Sequence, residues 1–538
     1  MNLLEAAWLP FRTRAGEVRF LPPAYVGDAE LVDLALPRAD FQGAGWQFLI
    51  ALLQTFFAPD DLEEWQAKWE TPPDVQELSR CFSPARYAFN LLGGRPLFMQ
   101  DYDPLDDARS SPVSSLLIEA PGGNTLRLNT DHFIKRGQVE AMCPSCVAMA
   151  LYTIQINAPA GGKGYRVGLR GGGPLTTLVL PQDPKASLWQ KLWLNVLDRN
   201  IWPHDRPAMD SFAVFPWMEP TRISETPGSE TYPKDVHPLH VFWAMPRRFR
   251  LEAQDTPCTC DICGHASSKS ISQVRAKNYG YNYDGPWRHP LTPYRRDPKQ
   301  PDQPPISIKG QQGGIGYQHW ESLVLGNEEK HGNMPALVVL DFANKVKALR
   351  DFAPTVRRAL LWAFGYDMDN MKARGWYSTQ MPLLAIPVEH QDIMLDSVKQ
   401  MTEAAQATAW RVRTNLKTGW FARPQDIKGD FSFVELSFWE RTEADFYDCL
   451  FLLFDSLENN QDGLMSAEVA GRWYHNMRDA ALGVFDELSL SGEAETLDMK
   501  RITAARNKLS WWLAKGKPML GLRKLAGLEE KTPAEAET

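Results

Sequence analysis

Two short cysteine pairs, Cys143-Pro144-Ser145-Cys146 and Cys260-Asp261-Ile262-Cys263, lie far apart in a chain of 538 residues that holds seven cysteines. A Cys-x-x-Cys turn presents two sulfurs about one turn apart, so two such turns meeting face to face supply the four thiolates of a tetrahedral zinc site. One metal would then tie two distant stretches of chain together, a stronger constraint on the fold than any single helical or strand pattern. Four protein ligands leave no open coordination position, so the zinc is expected to be structural. The competing readings are two unrelated reduced pairs, or a redox pair of the thioredoxin kind. Cys258 lies two residues before Cys260; the ligand role is assigned to Cys260, whose spacing to Cys263 repeats that of the first pair.

With 44% hydrophobic, 11% aromatic and 23% charged residues, the chain reads as globular, with room for more than one core. The start, Met1-Asn2-Leu3-Leu4-Glu5, has no basic region, and no stretch approaches the ~18 to 20 apolar residues that span a bilayer. The expected compartment is the cytoplasm, and the cysteine usage argues against a secreted disulfide scaffold. A net charge of −8 argues against nonspecific coating of nucleic acid. Local charge reverses this. Arg127, Lys135, Arg136, Lys163, Arg166 and Arg170 face only Asp131 and Glu140 between residues 126 and 175, and a second lysine- and arginine-rich stretch follows at 269 to 299. Both flank a cysteine pair, so a shared metal would merge them into one positive patch; the competing reading is two ordinary solvated loops.

Along the chain, residues 1–375 read as an irregular mixed α/β domain. It has short alternating runs at 17–21 and 176–180 and a helical stretch from Trp46 to Phe57. Seven prolines between 286 and 305 predict a surface loop. From about 387 the pattern turns helical, with segments at 387–417, 432–458, 464–488 and 496–515. Val398, Met401, Ala405, Ala409 and Val412 recur at spacings of three and four, as do Ile502, Ala505, Leu509 and Trp512. The expected fold class is α+β: the mixed N-terminal domain with its zinc site, then a four-helix bundle over 387–515. The polar segment 529–538 is expected to be disordered.

The glycine-rich stretch Ala160-Gly161-Gly162-Lys163-Gly164 and its continuation to Gly173 lack the Gly-Lys-Ser/Thr ending of a phosphate-binding Walker loop. Bare backbone with interleaved cations suits close approach to a nucleic-acid groove; a flexible hairpin loop is the competing reading. The carboxylates Asp101, Asp103, Asp106 and Asp107 offer an alternative function, a zinc-containing metal-dependent nuclease, although Pro104 and nearby serines point to a solvated turn. No nucleophile with a placed base is apparent, so binding is favoured over catalysis.

The string from Phe364 to Arg374, Phe-Gly-Tyr-Asp-Met-Asp-Asn-Met-Lys-Ala-Arg, resembles the signature of the CasA family, the large subunit of type I-E CRISPR Cascade. Met1 to Leu4, Trp8 to Pro10, Phe98 to Gln100, both cysteine pairs, Gly168 to Gly172 and Trp287 to Pro290 follow the family in order and spacing. The resemblance implies a non-catalytic subunit that reads the protospacer-adjacent motif in double-stranded DNA and starts strand separation, leaving sequence to the guide RNA. By that resemblance Gly161, Gly162, Lys163 and Gly164 form the groove-reading glycine loop. Lys277 is the groove lysine, with Asn278 as competitor, and Asn370 and Met371 tip the wedge. A loop at 129–138 holding His132, Phe133, Ile134, Lys135 and Arg136 corresponds to the family's contact with the guide RNA handle. The implied partners are the guide RNA, the backbone, small and handle-binding Cascade subunits, target DNA, and a helicase-nuclease recruited after the R-loop forms. The family's C-terminal bundle docks on the small subunits and helps hold the displaced strand.

Overall fold

The apolar run from Phe41 to Leu53 dictates the centre of the first unit: the helix Ala39–Phe56 is buried on nearly every side. Its faces are filled by aromatic rings. Phe48 alone meets Trp8, Phe89, Phe98, Tyr152 and Trp243 edge to face. At Gly43 a Cβ would lie 2.7 Å from the Phe364 ring, so glycine there lets a sheet approach the helix backbone.

The structure, a computed structural model of the chain, describes residues 1–538 except 122–124, 126, 129–135, 209–210, 311–312, 327, 329–331, 350–357, 370–371, 460–464, 492–496 and 529–538. The chain separates into two compact units, Met1–Gly314 with Gly326–Ala385, and Ile315–Leu325 with Ile386–Thr538.

The first unit contains small antiparallel sheets. Leu9–Thr13 pairs with Val18–Leu21 and with Leu31–Leu34. Ser270–Lys277 lies between Ser110–Pro112 and Arg248–Gln254. Arg358–Asp369 lies between Thr176–Pro181 and Lys372–Leu384, and with the latter forms one long hairpin. The proline-rich segment corrects the expectation of a surface loop. Residues 289–294 are buried, and Tyr294–Arg295 forms the middle strand between Ile306–Ser307 and Asn333–Met334. Two residues between Pro293 and Pro298 keep both N–H groups, which is enough for a two-residue ladder; residues 297–304 are exposed as expected.

The second unit is helical: Gln391–Trp420, Ser432–Asn459, Ala467–Ser489 and Met499–Lys515 form a four-helix bundle, followed by Lys517–Leu525. The heptad-like stripes are inside, with Met401, Ala405, Ala409, Val412, Ile502, Ala505 and Leu509 buried. Ser466 and Asp498 cap two helices by accepting the N–H groups of Val469 and Arg501. Within this unit Tyr317 stacks on Phe446 at 4.4 Å and its hydroxyl meets Thr442 at 2.7 Å, which pins Ile315–Leu325 to the bundle.

Candidate nucleic-acid interface and four-cysteine cluster

Cys143 is the N-cap of the helix Pro144–Asn157, with proline at the first helical position; its sulfur accepts the N–H of Cys146. Capping therefore places both sulfurs of the first pair on one side. The second pair sits in a hairpin, Cys258–Thr259 with Ala266–Ser267, closed by Cys260 N–H to His265 O and Gly264 N–H to Cys260 O. Gly264 takes φ +73° there, the left-handed region that favours glycine. The Asp261 carboxylate accepts the N–H groups of Glu140 and Ala141 at 2.8 Å each, stitching the two turns together without help from a metal.

The four sulfurs of Cys143, Cys146, Cys260 and Cys263 lie within 4.8 Å of one another, and Cys143 to Cys263 is 3.9 Å. Tetrahedral Zn–S bonds of about 2.3 Å require S···S separations near 3.8 Å, so the set fits a four-thiolate metal ion. Contact with Cys143 and Cys260, with burial, pushes the Cys146 thiol far up, while contacts with Cys143 and Cys146 hold Cys260 low. Crowded sulfurs cannot all ionise unaided, and a bound divalent cation removes that penalty. Cys258 is outside the group; its thiol faces the Lys269 carbonyl.

Each knuckle leads along one regular element to the same place. The helix Pro144–Asn157, 14 residues long, advances about 21 Å and ends before the glycine loop. The strand Ser270–Lys277, eight residues long, advances about 26 Å and ends at Asn278 and Tyr279. There the two chains join: Asn278 Nδ2 donates to Lys163 O at 2.7 Å, and Tyr279 N–H donates to Gly164 O at 2.8 Å. Gly164 has φ +77°, and a Cβ on it would meet the Tyr279 ring at 2.8 Å. Lys163 is exposed, as is Gly162. Behind the loop, Arg247 donates to Pro159 O and lies 4.2 Å from the Tyr165 ring centroid. Burial lowers Arg247 to about 10. Asn278, weighed only as a rival to Lys277, is thus a loop anchor, and Tyr279 and Arg247 carried no sequence signal.

The expected positive patch is reduced. Arg170 is buried, bonded to Gln47, Thr176 and Thr292, and burial lowers it to about 10. Arg166 donates to Ser224. In the second stretch Lys269, Arg275 and Lys277 pair with Asp255, Asp106 and Asp107. The carboxylates proposed for a nuclease are engaged in the same way: Asp101 is fully buried against Arg248, and its other oxygen accepts Asp103 N–H. Asp101, Asp106 and Asp107 face cations on paired strands and Asp103 accepts the N–H of Leu105, rather than the four converging on a metal. Among the described residues the four cysteines are the one group arranged for an ion.

The long hairpin carries the signature string. Its last described residues before the tip are tethered: Gly310 bridges to Asp367, a Cβ on Gly173 would overlap Met368, and Arg374 forks onto Asp367 at 2.9 and 2.7 Å. Asn370 and Met371 lie outside the described residues, as do His132, Phe133, Ile134 and Lys135 of the handle loop and the segment 529–538. Arg136 is described, in an exposed turn.

The sequence profile of the family described as CRISPR-associated protein Cse1 matches residues 2–484. The chain belongs to the Cse1 family. Similar solved structures include Cse1 of Thermobifida fusca, 16% identical with a TM-score of 0.69, covering 98% of each chain. CasA of Thermus thermophilus is also 16% identical, with a TM-score of 0.68, and covers 95% of this chain and 99% of its own. A chain of a CRISPR RNA-guided surveillance complex is 15% identical, with a TM-score of 0.67, covering 96% and 99%. At these identities the structures establish a shared Cse1 fold. No helix of the described residues is long and apolar enough to cross a membrane.

Proposed function

We propose that this Cse1 protein is the large subunit of a type I-E CRISPR RNA-guided surveillance complex, that it reads the protospacer-adjacent motif in duplex DNA, and that it starts strand separation without catalysing a reaction. The observation that carries the reading is the junction of Gly161–Gly164 with Lys277–Tyr279, two segments distant in sequence brought together on an exposed surface. Bare glycine backbone approaches a groove closely, and Lys163 and Lys277 add the charge that phosphate requires. The Lys277–Asp107 pair, 2.5 Å long with Asp107 exposed, does not oppose this. An exposed, solvent-screened ion pair contributes little to stability, so exchanging Asp107 for DNA costs little. The hairpin ending at Asn370 and Met371 supplies the wedge; parting a base step costs a few kcal/mol, offset by new contacts to the opened duplex. His132 to Arg136 face the guide RNA handle in this reading, and the helical unit docks on the small subunits and the displaced strand. The cysteines hold zinc, which keeps the helix and the strand that position the junction at a set angle.

The test is a reconstituted guide-RNA complex challenged with a randomised motif library. Lys277→Ala should weaken motif-dependent binding and reduce the salt slope by about one, with the melting temperature of the isolated chain unchanged. Equal affinity of the parent for targets with and without any preferred motif would overturn the reading. Magnesium-dependent cleavage by the isolated protein that Asp103→Ala abolishes would favour the nuclease alternative.

A further inference from the structure

The hairpin is braced along its length, four residues before Asn370, by a buried hydrogen-bond relay whose own side chains are none of those assigned to DNA. Tyr366 Oη donates to Asp40 Oδ2 at 2.5 Å, and both side chains are nearly inaccessible, at 4% exposure each. Asp40 opens the central helix, and its carboxylate is saturated: Oδ1 accepts Arg38 Nε at 2.9 Å and Phe41 N–H at 3.0 Å, and Oδ2 also accepts Arg38 Nη2 at 3.0 Å. Arg38 in turn pairs with Glu119 at 2.8 Å. Burial, then the neighbouring Asp40 charge, push the Tyr366 hydroxyl up, so it remains a proton donor across ordinary pH.

Beside the relay lies a cavity of about 340 Å³ lined by Arg38, Asp40, Glu119, Tyr366, Arg374 and Trp376. Space on this side leaves the hydrogen bond to hold the face of the hairpin that strand pairing and the Gly173 and Gly310 contacts do not cover. We propose that Tyr366, held by Asp40 and Arg38, is a positioning residue that keeps the hairpin rigid against the reaction force of duplex opening. This rests on the reading of the hairpin as the wedge. A lever that parts a base step transmits the cost of unstacking back along its strand, and a charge-assisted hydrogen bond between that strand and the core resists it. The relay joins the strand to the start of the helix Ala39–Phe56, which is buried on nearly every side, so load on the strand meets the core rather than a loop.

The experiment uses the assembled complex with Tyr366→Phe, which removes one oxygen and leaves the Arg38–Asp40 pair in place. A fluorescent adenine analogue at the first base pair beside the motif reports opening, and a duplex already mismatched there serves as the second target. Opening of the intact duplex should fall about tenfold, the factor one charge-assisted hydrogen bond carries. Binding of the pre-opened duplex should stay within about twofold of the parent. Unchanged opening, or an equal loss on both targets, overturns the positioning role, the second outcome marking a general structural defect. A parent complex that shows no motif-dependent opening overturns the wedge reading itself, and is distinguished because the loss then precedes any substitution.

Discussion

Gly164→Ala tests how the glycine loop is built, independently of what it binds. At φ +77° an alanine is strained by about 1 to 2 kcal/mol. Its Cβ would also sit 2.8 Å from the Tyr279 ring and 2.9 Å from Asn278 Cβ, an overlap that costs a further 1 to 3 kcal/mol or so. The loop relieves both by leaving Asn278 and Tyr279, which forfeits two hydrogen bonds of about 1 kcal/mol each. Since the strain matches or exceeds what holds the loop, the detached form should gain about 3 kcal/mol, roughly a hundredfold in population. Amide exchange of Tyr279, whose N–H is bonded to Gly164 O, reads this directly and should accelerate until its protection, about thirtyfold for two bonds of about 1 kcal/mol, is nearly lost. Gly162→Ala is the control: its φ is not left-handed and nothing lies within 4 Å of its added Cβ, so exchange at Tyr279 should not change. Slow exchange retained in Gly164→Ala, or equal acceleration by both variants, would refute the argument. Loss of motif binding by Gly162→Ala with Tyr279 still protected would locate the fault in approach to DNA.

Two further outcomes are expected. Cys260→Ser should abolish stoichiometric metal while Cys258→Ser retains it, as measured by metal analysis of the purified chain; full metal content in the first variant would move the ligand assignment. His240 is fully buried, its Nδ1 on Ala213 O and its Nε2 on Tyr283 Oη, and burial lowers it to about 4. The unfolded chain takes up that proton near pH 6.5, so the stabilisation is complete above about pH 6.5 and about 3 kcal/mol is lost as pH falls toward 4. Urea unfolding at pH 7.5 and 5 should show this slope, and His240→Gln should reduce it, leaving the part that His289 and His319, also lowered by burial, contribute.

The sequence by itself determined the elements whose cause is local or repetitive. Apolar spacing of three and four marks the C-terminal helices within a few residues, because a helix face is written in consecutive turns. The Cys-x-x-Cys spacing announces two knuckles because two ligands one turn apart need no distant partner. What only the tertiary structure decided is which groups cancel. Arg166 and Arg170 count as positive patch in sequence, yet one is tied to Ser224 and the other is buried on Gln47, Thr176 and Thr292. Asp106 and Asp107 count as a metal site until Arg275 and Lys277, on a strand far along the chain, reach them. The proline-rich segment reads as a loop until the ladder partners of Tyr294 appear. In each case the decisive partner is distant in sequence, and its pairing depends on strand register and burial, which no local spacing encodes. The same holds for the Asp40–Tyr366 relay, whose two residues carry no shared pattern and meet only because Gly43 lets the hairpin approach the central helix.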